Sequence, residues 1–140
     1  MIKPVWLIIA EQEIGVIEVE GAKNNPRVIE YHQTTTLKAK EDSVPWCSSF
    51  VNWCITQAGI QGTNKANARS WLSWGKSIKD KPEIGCVVVF SRGSNPASGH
   101  VAFFLRETEK YVEVLGGNQG DCVCVSKFSK STLLDYRYPV

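Results

Sequence analysis

The stretch "SVPWCSSFVNWC", Ser43 to Cys54, sets the reading of the chain. Extended to Ile60, it puts Cys47, Phe50, Val51, Cys54 and Ala58 on one helical face, with Gly59 as the stop. Cys47 stands at the entry of that helix, directly after Pro45 and Trp46. A core cysteine would do as well anywhere along the apolar stripe. At the entry, the helix N-terminal amides favour a negative charge, and a thiolate is one.

Outward from this helix, the first half of the chain reads helical. "PVWLIIAEQEI" sets Trp6, Ile9 and Ala10 apart from Glu11 and Glu13, and Gly15 ends it. "NNPRVIEYHQTT" opens with Asn25 as a cap and Pro26 at the first helical position. "NKANARSWLSWGKSI" is a fourth helix, ended near Gly75. From Gly85 the period changes. "CVVVFSR" is a continuous β-branched run, as in a strand buried on both faces. "GHVAFFLRE", "KYVEVLGG", "DCVCVSKF" and "LLDYRYP" follow, separated by turn residues as in an antiparallel meander. Helices first and sheet afterwards define an α+β domain, residues 1–140, with helices on one face of the sheet.

A length of 140 residues supports one core without staples. The net charge of +2 excludes the basic footprint of a dedicated nucleic-acid binder. No run approaches the ~18 apolar residues of a membrane span, so no integral membrane segment is expected. The run Val5 to Ala10 is too short for a secretory signal, and the chain is expected to be made in the cytoplasm without one. Five cysteines, odd in number and irregularly spaced, argue against a disulfide framework. Cys122 and Cys124, two apart, share a strand face.

A cysteine nucleophile needs a base and something to orient that base. Of the two histidines, His32 lies in the polar "EYHQTTT" and reads as solvated or capping. His100, in "SGHVAFF", follows Gly99, which permits a tight turn, and opens an apolar strand. Facing the helix layer, it meets Cys47. Asn118, in the hairpin "VLGGNQGDC", is the candidate orienter, its amide accepting from His100 Nδ1 and leaving Nε2 toward the sulfur. Asp121 competes for that role, with Gln119 behind it. Cysteine on a helix start, histidine on a strand start and asparagine at the next strand end follow the papain-like order.

"PWCSSFVNWC", "ARSWLSWG", "GCVVVF", "GHVAFF" and "LGGNQGD" together resemble the small bacterial and phage cell-wall hydrolases of the CHAP and NlpC-type branch of the papain-like superfamily. The resemblance spans almost the whole chain. It implies a papain-like α+β fold, with Cys47 as nucleophile, His100 as base, Asn118 as the third member, and no metal or cofactor. It also implies cleavage of a peptidoglycan amide, either between glycan and stem peptide or within the peptides. Cys86 stands where the family usually has an acid, "GDVVVF", a position expected to cap or pair locally.

Trp46, Ser48, Trp71, Trp74 and Gln119 are the substrate-binding candidates, although tryptophans at helical spacing also suit a core. The implied partners are peptidoglycan and, for delivery, a holin or secretion apparatus, with an immunity protein if the chain is an antibacterial effector. A monomer is expected. Rival readings are a papain-like transferase using the same residues, a wall-binding domain without catalysis, and a zinc module of Cys86, His100, Cys122 and Cys124, whose spacing suits zinc poorly.

Overall fold

The structure, a computed structural model, describes residues 2–19, 24–41 and 44–140. Ser43, at the head of the quoted stretch, lies outside them. The order is α1 (Val5–Gln12), α2 (Pro26–His32), α3 (Cys47–Gln57), a 3-10 turn (Ala68–Ser73), then strands β1 (Lys76–Ser77), β2 (Val87–Ser91), β3 (Gly99–Glu107), β4 (Tyr111–Gln119), β5 (Cys122–Ser129) and β6 (Leu133–Tyr138). The fourth expected helix is thus only a 3-10 turn. Trp71 anchors it in the core, and Trp74 already leaves it in extended conformation.

One antiparallel sheet carries all six strands, in the order β1-β6-β2-β3-β4-β5. α3 lies on it with α1 and α2 as flanks, and every residue from Cys47 to Ile55 is buried. Phe50, Val51, Cys54 and Ile55 pack with Val87, Val89, Val101, Phe103, Leu115 and Val123 of the helix-facing side. Full burial of each large apolar side chain is worth about 1.5–3 kcal/mol. A helix buried all round must also satisfy its polar residues. Ser48 Oγ donates to the Lys65 carbonyl (2.6 Å), and Asn52 Oδ1 accepts from the Asn64 amide (2.9 Å).

The sheet encloses a second core on its other face, formed by Cys86, Val88, Phe90, Ala102, Phe104, Val112, Val114 and Tyr136. Four strands of a flat sheet would hold β2 and β5 roughly 14 Å apart. Instead the rings of Phe90 on β2 and Phe128 on β5 stack at 4.9 Å. The sheet therefore curls on itself. The both-faces burial read from "CVVVFSR" holds, with helices covering one face and the curl covering the other.

Candidate active site

Pro45 and Trp46 deliver the chain into α3. Trp46, at the cap position, makes no side-chain hydrogen bond to the helix amides. Those first-turn N–H groups remain available to a charge at Cys47. The Cys47 sulfur is hydrogen-bonded by the His100 imidazole and by the Val101 and Ser48 N–H groups. Burial by itself would push the thiol up. The hydrogen bond and charge of His100, together with the two amides, outweigh it and hold the thiol below its ordinary value. Burial likewise opposes charge on His100, but Cys47 and Gln119 raise its pKa above the ordinary imidazole value. Both directions favour a thiolate–imidazolium pair.

His100 does not face the helix layer as expected. It is the second residue of β3 and shares a strand face with Ala102 and Phe104, members of the second core. Its ring stacks on Phe128 at 4.8 Å and lies 6.5 Å from Phe90, its cross-strand partner. It still meets Cys47, because α3 begins against the start of β3. Gly99 has no positive φ and so makes no tight turn. It is needed for close approach: a Cβ there would lie 2.8 Å from the Phe90 carbonyl oxygen and 3.3 Å from Arg69 Cγ.

The group holding the imidazole is Gln119, where Asn118 was expected. Gln119 Oε1 lies 2.9 Å from His100 Nε2, and Gln119 Nε2 donates to the Cys124 carbonyl at 2.7 Å. The second bond settles which end of the amide faces the ring. Oε1 accepts, so His100 Nε2 carries the proton and Nδ1 faces the sulfur, the reverse of the expected ring orientation. The cause is a β-bulge. Gly116 pairs with Cys124 and Gln119 with Cys122, leaving Gly117 and Asn118 opposite the single residue Val123. A regular strand would set Asn118 across from Cys122. The extra residue hands that place to Gln119. Asn118 absorbs the bulge at φ 58°, and glycines flank the site because neighbours crowd it. A Cβ on Gly117 would lie 2.7 Å from the Trp46 ring, and one on Gly116 would lie 2.6 Å from Gln119 Oε1. The hairpin itself turns on Gly120 and Asp121, both with positive φ, so Asp121 is a turn residue and not the partner of His100.

The side chains of the other candidates have partners elsewhere. Trp46 and Trp71 are fully buried, their indole N–H groups donating to Glu18 (2.6 Å) and Ser48 Oγ (2.9 Å). Trp74 packs edge-on to Trp71 and donates to the Gln61 carbonyl. Trp46, Trp71 and Ser48 are buried in the core, and half-buried Trp74 packs against it from the surface. His32 is buried and pairs through Nδ1 with Ser49 Oγ at 2.8 Å, so it is neither solvated nor a cap. Cys86 is buried in the second core, and burial pushes its thiol up to about 12. Among the described residues, no three His, Cys, Asp or Glu side chains gather as metal ligands, so the zinc grouping of Cys86, His100, Cys122 and Cys124 does not form.

Helices over an antiparallel sheet, with a cysteine at a helix start hydrogen-bonded to a sheet histidine, define a papain-like thiol hydrolase fold. Residues 39–118, more than half of the chain, match the CHAP domain family, and the chain belongs to it. Among solved structures the chain is similar to a lipoprotein-like protein of the NLP/P60 family from Staphylococcus aureus subsp. aureus Mu50, with a TM-score of 0.59 at 17% identity. The match covers 97% of this chain and 41% of that one, so the chain spans about two fifths of that protein's length. The likeness bears on the fold. A search of curated proteins finds no match.

Proposed function

We propose that the protein is a cysteine-dependent peptidoglycan hydrolase that cuts an amide of the stem peptide or of its link to the glycan. The observation carrying this reading is the buried Cys47–His100 pair at the start of α3, with His100 held from behind by Gln119. The Cys47 thiolate attacks the amide carbon. The first-turn amides of α3 stabilise the developing oxyanion. Imidazolium His100 gives its Nδ1 proton to the departing amine, and the acyl group stays on sulfur as a thioester. Water, deprotonated by the now neutral His100, then releases the acid and restores the thiol pair. Gln119 keeps the ring in the required tautomer throughout.

Phage lysis and antibacterial delivery both suit such an activity, with a holin or secretion apparatus bringing the enzyme to the wall. No helix among the described residues is long and apolar enough to cross a membrane. Mass spectrometry of muropeptides after digestion of purified peptidoglycan tests the reading and identifies the bond. New amine and carboxyl ends are expected from the parent and none from Cys47→Ala. An uncut preparation with both refutes hydrolysis, and coupling to an added amine in place of water identifies a transferase.

A further inference from the structure

Beside His100 lies a groove of about 470 Å³, over the concave face of the curled sheet. Gln119, Phe128, Arg92 and Thr132 line it together with the imidazole. Among the described residues, the charged side chains on its walls are Arg92 and Lys127, both cations and both exposed. Among the described residues neither forms an ion pair. Glu113, across the strand pair from Lys127, is engaged by Arg106. Arg92 follows the last residue of β2 and sits close enough to His100 for its charge to oppose protonation of the ring. A guanidinium in the same groove as the imidazole, with no ion-pair carboxylate among the described residues, is arranged for one supplied by the substrate.

We infer that Arg92 is a specificity determinant that binds a free carboxylate of the substrate close to the scissile amide, selecting peptides acidic at that point. The inference rests on the hydrolase reading. The groove runs beside the imidazole, Phe128 supplies an apolar floor, and the fork of Arg92 supplies the planar, two-point contact that a carboxylate accepts. Lys127 adds a second positive charge at the rim, screened by solvent and worth less. An amidated peptide of the same length would fill the groove equally and leave Arg92 unpaired.

Binding to the Cys47→Ala protein separates recognition from chemistry. The probes are soluble stem-peptide fragments from purified peptidoglycan, native or with their carboxylates converted to amides. Calorimetry is expected to show native fragments binding about tenfold tighter than amidated ones, the scale of one charge-assisted pair. Adding Arg92→Gln should erase that margin, and Arg92→Lys should restore part of it. Lys79→Gln, on the exposed loop after β1 at the far sheet edge, removes the same net charge and should leave the margin intact. Equal binding of the two fragments, a margin that survives Arg92→Gln, or no binding of either fragment overturns the inference. If the margin depends on Arg92 while the parent cuts neither fragment, the hydrolase reading fails and the role of Arg92 stands.

Discussion

Gln119→Ala is the perturbation that most directly tests the site. In the parent, Gln119 Oε1 takes the Nε2 proton of an imidazole that is only 5% exposed. Truncation leaves that buried donor without its acceptor, at about 1–3 kcal/mol. It also frees the Cys124 carbonyl, which the bulged strand and the hairpin turn then leave to water. If the loss falls on the oriented, charged ring that catalysis needs, about 1.4 kcal/mol per factor of ten gives a rate reduction of roughly 5- to 150-fold. Gln119→Glu is no clean replacement, because a carboxylate would oppose the Cys124 carbonyl that the amide now donates to. Asn118→Gly makes the decisive partner variant. Asn118 sits at φ 58°, which glycine adopts without cost, so the bulge and the Gln119 placement survive. The assay is initial rates on one peptidoglycan preparation, with folding followed by circular dichroism. Asn118→Gly is expected to lose far less than Gln119→Ala. An inactive Asn118→Gly beside a healthy Gln119→Ala would refute the assignment of the imidazole's partner.

Further expectations concern the pair, the packing and the other thiols. The pH profile of kcat/KM should rise at a pH below the thiol's ordinary 9.0, as Cys47 ionises, and fall above the imidazole's ordinary 6.5, as His100 loses its proton. The active window therefore lies between a lowered thiol and a raised imidazole, and a single rising limb near 9 would show that the two are not paired. Gly117→Ala should lower stability by about 1–3 kcal/mol, measured as a Tm loss of several degrees, because its Cβ meets the Trp46 ring and Phe50 Cβ at 2.7 and 2.8 Å, and an unchanged Tm would refute that packing. Gly116→Ala instead strikes Gln119 Oε1 and Ala102 Cβ, so activity should fall more than stability does. A small alkylating reagent at neutral pH should modify Cys47 first, since burial pushes Cys86 up to about 12, and Cys122, where burial leads and the adjoining Cys124 adds to it, is pushed up to about 11. Faster labelling of Cys122 in peptide mapping would contradict this.

Local periodicity carried a good deal of this protein. The apolar stripe from Cys47 to Ala58 and the run Val87–Phe90 state their own burial, and the order of helices and strands follows from where the period changes. Cys47 and His100 were legible for the same reason, since each is marked by the element it opens. The partner of His100 was not. Whether Asn118 or Gln119 faces the imidazole turns on one unpaired residue between Gly116 and Cys122, and a bulge reverses the facing of everything after it without altering the hydrophobic pattern. The tryptophans stayed open because amphipathic spacing is the same for a groove and a core, and the acceptors Glu18 and Ser48 place Trp46 and Trp71 in the core. Alternation along β3 sends His100 away from the helices, and it was the curl of the sheet, visible as Phe90 on Phe128, that enclosed it there. Sequence alone marked Cys47 and His100 as the candidate pair. The tertiary structure decided how they meet, because strand register and sheet curvature arise from contacts between segments far apart in the chain.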